Sequence, residues 1–283
     1  ISRRNQRRKK TKEKPRHPPV TRQRPQDIIP GPMKIIYQRF LGKEIFDMPV
    51  YSNKEFVNIV HPEPDNWDRD MLGIPFIEKE ELNISNVGSK LFLINPNNVS
   101  AKDADKERKI IHSFVNDKIL EKAYKNPIKF VEKISGYYGA TSLDFSMSSG
   151  MSRWSIVQAV GKNRWFGRYL QSYGIKVYPT VGWVDEDTYD ICFAGLRDSS
   201  VFFISTLGTN NELCRTMFLN GLFELRRRFP NSRQICIGTK VKGIPEDVCL
   251  VPYNESFGGK KQLSKRNQIR LFNWDGTLVE EDA

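Results

Sequence analysis

Histidine is scarce in this chain of 283 residues, which has only His17, His61 and His112. None lies near a cysteine in sequence, so a zinc site built from clustered Cys and His ligands is not supported. A histidine-based hydrolase triad has equally little to draw on. Cysteine is nearly as rare, with Cys192, Cys214, Cys236 and Cys249. No two form a C-x-x-C pair, and three sit in apolar runs (ICF, QICIG, VCLV), where a thiol acts as a small hydrophobe. A reduced, cytosolic setting fits this usage. No stretch approaches the roughly 20 apolar residues of a membrane span, so no membrane partner is expected. The start is basic with no apolar core behind it, unlike a secretory signal. The phosphate-binding G-x-x-x-x-G-K-[ST] loop and the dinucleotide G-x-G-x-x-G are both missing. The nuclease pattern of an Asp followed by acid-x-Lys on the next strand is missing too, since Thr239-Lys240 lacks the acid.

Acidic residues are lacking where basic ones crowd. Residues 1–31 hold eleven lysines and arginines against Glu13 and Asp27, a charge of +9 out of the chain's +12. Apolar residues are almost absent before Ile28, and prolines recur. Such a segment cannot bury enough surface to offset its ordering entropy. The expectation is a disordered basic arm that contacts nucleic acid or another polyanion through Arg3, Arg4, Arg7, Arg8, Lys9, Lys10, Lys12, Lys14 and Arg16. Residues 32–89 mix short apolar runs with prolines and read as an extended lead-in packing on a core over 90–255. Residues 256–283 form a tail that is basic again, with no acid between Gly258 and Arg270.

Within 90–255 the hydrophobic periodicity alternates. Lys90–Asn95 reads as a strand and Lys102–Ile134 as mostly helix, broken at Asn126-Pro127. Ala140–Phe145 reads as a strand and Ser152–Tyr173 as a helix opened by a serine cap. Ile175–Trp183, Tyr189–Gly195 and Ser200–Leu207 read as strands. Asn211–Phe229 reads as a helix, and Gln234–Gly238 and Val248–Pro252 as the last strands. The pattern predicts an α/β fold with a largely parallel, mixed sheet flanked by helices, open or closed into a barrel.

Ligands of such folds gather at the carboxyl ends of the strands. That rule selects Asp144 and Ser146 after one strand, Pro179 and Trp183 after the next, then Ser205, Thr206 and Gly208, then Lys240. Asp144 could act as base or metal ligand and Lys240 as a charge stabiliser. The competing reading makes Asp144 and Ser146 helix caps. Asn163, Arg164 and Gln171 on the following helix complete the candidate set, with Asp144, Ser146, Asn163 and Arg164 as the catalytic candidates. The same helix mixes Arg153, Lys162, Arg164 and Arg168 with Trp154, Trp165, Phe166, Tyr169 and Tyr173. This mix suits nucleic acid, but also a packed helix with its aromatics turned inward. Asp185, Glu186, Asp187 and Asp190 could hold Mg²⁺, but read better as a solvated turn. No cofactor is expected, and a divalent metal stays an option. LFNWDGTL at Leu271–Leu278 looks like the nucleophile motif of haloacid-dehalogenase-type phosphatases. Asn273 stands where that motif has its aspartate, and the motif should open a fold rather than close a chain.

Longer words carry a stronger likeness. FDMP at Phe46–Pro49, NP at Asn126-Pro127, LDFS at Leu143–Ser146 and NRWFGRYLQSYGIKVYPTVGW at Asn163–Trp183 occur in order. YDICFAGL at Tyr189–Leu196, STLG at Ser205–Gly208 and FLNGLFELRRRFP at Phe218–Pro230 follow. In these the chain resembles the "domain of unknown function 4417" proteins of bacteria, their phages and other mobile elements, over roughly residues 43–255. It departs from them at Gly238-Thr239, where Tyr-Gly is usual. The resemblance implies a genetic setting and a bacterial host cell, but no reaction. Three roles stay open from sequence: a nucleic-acid-associated accessory protein, a hydrolase or nuclease at the strand ends, and a structural or interaction protein.

Overall fold

The computed structural model describes residue 61, residues 63–82, 91–103, 105–198 and 200–256, and the backbone of Gln268–Ile269. These fall in one compact unit spanning 57–283. The basic arm and most of the C-terminal tail lie outside the described residues.

The strands run β1 (Leu91–Ile94), β2 (Lys109–Ile111), β3 (Gly139–Thr141), β4 (Val177–Tyr178), β5 (Val201–Ser205), β6 (Arg233–Ile237), β7 (Cys249–Val251) and β8 (Gln268–Ile269). Between them come α1 (Asp117–Lys125), α2 (Pro127–Ile134), α3 (Arg153–Ser172), α4 (Tyr189–Cys192) and α5 (Glu212–Arg228). One sheet has the order β4-β3-β2-β1-β8 and the other β5-β6-β7. Among the described residues one parallel bridge, Thr180 to Phe203, links them. Its hydrogen bonds are Phe203 N to Pro179 O and Val181 N to Phe203 O, both 2.8 Å. All pairs are parallel except β1–β8, so this is a largely parallel α/β fold with an antiparallel edge. Spatial order follows chain order from β1 to β7, with consecutive strands as neighbours, the commonest arrangement.

The two faces of the sheet separate by the period-2 rule. Val201, Phe203, Ile235 and Ile237 join Leu91, Leu93, Ile110, Cys249 and Val251 in one core. Phe202, Ile204 and Cys236 join Val160, Leu222 and Leu225 in a second core, between sheet and helices. Phe202 and Phe203 point to opposite sides and both are wholly buried, each stabilising the fold by about 1.5–3 kcal/mol. Side chains of β1 and β7 meet in the first core, so the sheets curl around it. Among the described residues no ladder joins β7 to β1 or β8.

Two expected elements are different. Tyr189–Gly195 is not a strand but a helical turn, α4, entered through a 3-10 turn at Glu186–Thr188. Tyr189 and Phe193 are four apart and their rings stack at 5.5 Å, a helical contact that an extended chain would send to the same face but far apart. The expected helix over Lys102–Ile134 contains a strand: a 3-10 turn at Lys106–Arg108 leads into β2, which lies between β1 and β3. The Asn126-Pro127 break is present, with Pro127 as the first residue of α2. The expected strands at 140–145 and 175–183 shrink to β3 and β4.

Residues 63–82 lie over the C-terminal half of α3. Asp70 Oδ1 accepts from Leu72 N and Ile74 N, both at 2.9 Å, and shapes a tight turn. Ile74 and Ile77 are then buried, and Ile77 N donates to Gly195 O at 3.1 Å. Gly195 sits at φ +68, and a Cβ there would lie 2.6 Å from Pro75 O and 2.9 Å from Arg164 Cγ. Only glycine permits that crossing.

Candidate functional site

Where β3 and β4 end, their chains turn away from the ladder and expose polar groups to each other. Thr180 N donates to Ser142 Oγ at 2.9 Å, and Thr180 Oγ1 donates to Leu143 O at 3.2 Å. Asn163 Nδ2 reaches Thr180 Oγ1 at 2.7 Å from α3. Beside it Arg164 is 1% exposed. Its Nε donates to Ala194 O at 2.8 Å, Nη1 to Asn163 Oδ1 at 2.7 Å and Thr180 O at 2.9 Å, and Nη2 to Cys192 O at 3.0 Å. No carboxylate of the described residues comes within ion-pair distance of this guanidinium. Burial lowers its pKa to about 10, against the more distant Cys192, Asp70 and Asp144, which favour the charge.

Asp144 stands over this network in a cleft of ≈ 230 Å³ measured out to its open mouth. Phe145, Met147, Ala159, Val160, Asn163, Arg164, Gly182 and Cys192 complete the lining. No described residue donates a hydrogen bond to the Asp144 carboxyl. Burial raises its pKa to about 7, the Asp117 carboxylate adds to the rise, and Arg164 opposes it. A carboxyl that titrates near neutrality can both take and give a proton at physiological pH. Much of that volume is open to solvent at the mouth, so the enclosed part suits a water or a small projecting group.

Asp144 is not a helix cap. The N-cap of α3 is Ser152, which makes no side-chain capping bond. Ser146, expected either as a catalytic group or as a cap, is exposed, and its Oγ donates to Asp117 Oδ1 at 3.0 Å. Asp117 is the first residue of α1 and ties that helix to the loop after β3. Among the expected site residues, the cleft brings together Asp144, Asn163 and Arg164. The others lie elsewhere. Gln171 clamps the backbone of Glu78 with bonds of 2.9 and 2.8 Å. Pro179 lends its carbonyl to the bridge with β5. The Trp183 ring stacks on Phe218 at 5.4 Å and its Nε1 donates to Met217 O at 3.3 Å. Ser205 Oγ donates to Ile237 O and Thr206 Oγ1 to Thr239 O, both at 2.9 Å, tying β5 to the end of β6. Gly208 makes a turn at φ +90, and Lys240 is exposed. Sequence reasoning missed Asp117, Gly182 and Cys192. Asp117 carried one signal, as a first-turn acid behind the Asn116 cap.

In the acidic turn, Asp185 and Asp190 have structural partners. Asp185 and Thr188 form a capping box, and Asp190 Oδ1 accepts from Arg228 at 2.7 Å. Among the described residues no group of three or more His, Cys, Asp or Glu could hold a metal ion. His112 accepts from Phe114 N through Nδ1 and bonds Ser256 O through Nε2 at 2.9 Å. Burial lowers its pKa to about 4, so it stays neutral. His61 stacks on Trp165 at 4.3 Å. Cys192, Cys236 and Cys249 are buried thiols outside any disulfide, and burial raises the pKa of all three. No helix among the described residues is long and apolar enough to cross a membrane.

The molecule is thus an α/β protein of parallel sheets with a single-carboxylate cleft at the strand ends. Its family follows from comparison with known proteins: the chain belongs to the family described as "Domain of unknown function (DUF4417)", whose model matches residues 69–254. It is similar to the Gene 1 protein of Mycobacterium phage D29, 34% identical over 119 residues, which are 42% of this chain and 44% of that protein. It is likewise similar to the Gene 1 protein of Mycobacterium phage L5, 34% identical over 116 residues, 41% of this chain and 51% of that protein. The chain therefore spans about half the length of the curated relatives it matches. No solved structure matches it.

Proposed function

We propose that the chain is an accessory protein of a phage or other mobile element that contacts nucleic acid through its basic residues 1–31. The observation that supports this is where the charge sits. Residues 61–256 carry twenty-five basic and twenty-four acidic residues, nearly neutral, while residues 1–31 carry +9. The folded body also pairs many of its cations internally, as in Lys162–Glu121 at 2.7 Å and Arg197–Asp68 at 2.9 Å. The cations of residues 1–31 have two acids to pair with in their own segment. Each phosphate they neutralise releases a counterion, so affinity falls with salt by about 0.9 log units per log unit for each contact on duplex DNA. The test is DNA binding across a salt series, with the full chain and with Arg3, Arg4, Arg7, Arg8, Lys9, Lys10, Lys12, Lys14 and Arg16 changed to glutamine. Weaker binding and a shallower slope are expected. Equal binding by the two proteins rejects the reading.

A second reading, a hydrolase of nucleic acid or a related substrate, is favoured by the Asp144 cleft. Asp144 has an unpartnered carboxyl titrating near neutrality beside a buried cation. In this reading Asp144 takes a proton from water, and Asn163 and Arg164 hold the wall behind it. Asp144→Asn should abolish turnover, and the wild-type rate should rise through a pH near 7. Turnover retained by that variant removes the reading.

A further inference from the structure

Most aromatics of α3 are inside: Trp165 is 4% exposed, Phe166 0% and Tyr169 7%. Trp154, in the first turn, is 70% exposed. A tryptophan carries one of the largest apolar surfaces of any side chain, so leaving it in water forfeits burial for no gain to folding. Trp154 precedes Trp165 by eleven residues, about 20° off the same stripe of the helix. Trp165 packs against Tyr124 of α1, with ring centroids 5.6 Å apart. Trp154 therefore sits on the α1 side of α3, beyond the contact.

The pairing of the two helices fixes the register. Glu121 meets Lys162 at 2.7 Å and Tyr124 meets Trp165, so α1 and α3 run in the same direction where they touch, and Asp117 meets Ser146 in the loop that leads into α3. Trp154 lies about 12 Å before Lys162 along the axis, past the first turn of α1. On α1, Asp117, Glu121 and Tyr124 face this seam. Lys118, Lys122 and Lys125 are each one residue on, about 100° round, and at i, i+4 and i+7 they share a face. All three are exposed and have no carboxylate partner among the described residues. They contrast with Lys162, Arg168, Arg197, Arg226 and Arg228, which all meet acids.

A row of three free cations followed by an exposed ring is what a nucleic-acid strand needs: phosphates along the lysines and a base on the indole. Duplex DNA buries its base faces, so a stacking ring selects unpaired strands. We propose that Lys125, Lys122, Lys118 and Trp154 form a single-strand-binding surface on the folded body. This goes beyond the contact proposed for residues 1–31 and stands apart from it.

The test uses full-length protein and a labelled oligo-dT, with a duplex of equal length as comparison. Trp154→Ala should weaken oligo-dT binding about tenfold and leave the duplex unchanged. The triple variant K118Q/K122Q/K125Q should flatten the single-strand salt slope by about 2 units, from about 0.7 per phosphate. Both substitutions are at exposed positions, so an unchanged melting temperature checks the fold. Unchanged oligo-dT affinity in W154A, or an unchanged slope in the lysine variant, overturns the proposal. If binding is lost only when residues 1–31 are neutralised, this surface falls and the first reading stands. If binding survives that change but W154A loses it, the first reading falls and this surface stands. A wild-type chain that binds no oligonucleotide removes both.

Discussion

Arg164 Nη1 donates to Asn163 Oδ1, the side chain of its own chain neighbour, at 2.7 Å, and both side chains then bond the carbonyl of Thr180. A charged residue buried in this way is expensive unless its donors are met. Here the Asn163 amide oxygen and backbone carbonyls from two other segments, Thr180 and Cys192 with Ala194, meet them, so the guanidinium ties α3 to the end of β4 and to α4. Arg164→Met keeps the length of the side chain but leaves the carbonyls of Ala194 and Cys192 without this donor. The expected loss is about 3–5 kcal/mol in urea unfolding. A loss below about 1 kcal/mol would mean that water replaces the guanidinium.

Asp144 gives a pH signature. Its folded pKa of about 7 lies above the ordinary aspartate value of 3.8. The folded state therefore holds a proton that the unfolded state has released between those values, and stability falls as pH rises through that window. Asp144→Asn removes the titration. The variant should be more stable than wild type at pH 8, by on the order of 2–4 kcal/mol at about 1.4 kcal/mol per unit. The gap should close toward pH 4. Parallel stability curves from pH 4 to 8 would show that the carboxyl titrates at its ordinary value.

Much of this architecture could be read in advance where apolar runs and caps coincide. Asn211 caps α5 by accepting from Cys214 N at 2.8 Å, and Pro127 opens α2, as their residue types suggest. The strand-end rule selected Asp144, which lines the cleft. It could not say which strand-end side chains turn toward that cleft, because direction alternates with each residue and β3 and β4 are only three and two residues long. Trp183 and Ser205 accordingly go to α5 and β6 instead. The burial of Arg164, itself one of the residues selected from sequence, was hidden for a different reason. Lys162 and Arg164 are both cations on one helix, and only the carbonyls of distant segments decide that one meets an acid at the surface and the other is buried. Strand β2 was masked by the apolar spacing of α1, which follows within six residues.

Gln171 offers a local test of how residues 63–82 are held. Its amide replaces a strand partner for Glu78, accepting from the backbone N–H and donating to the carbonyl. Gln171→Ala removes both bonds and leaves Ile77 as the main anchor. The expected cost is about 1–2 kcal/mol. Faster amide exchange at Glu78 and Ile77 but not at β5 would mark a local release, and uniform acceleration would contradict it.

Gly221 on α5 tests the packing of Trp183. A helix interior ordinarily favours alanine over glycine by about 1 kcal/mol, so propensity alone predicts that Gly221→Ala stabilises. A Cβ at 221 would instead run into the Trp183 indole at its Cδ1, Nε1 and Cε2 atoms. That ring is held by its stack on Phe218, its edge contact with Phe193 at 6.1 Å and its bond to Met217 O. It cannot move without disturbing the core under α5, where Leu222 and Leu225 are wholly buried. Overpacking of this kind costs about 1–3 kcal/mol, which outweighs the propensity gain. The variant should therefore melt below wild type, with the fluorescence of Trp183 altered. Trp183→Leu in the same chain should relieve the clash, so the double variant should lose less than the sum of the two single changes. A Gly221→Ala protein that melts above wild type would mean that the indole leaves room for a Cβ on α5.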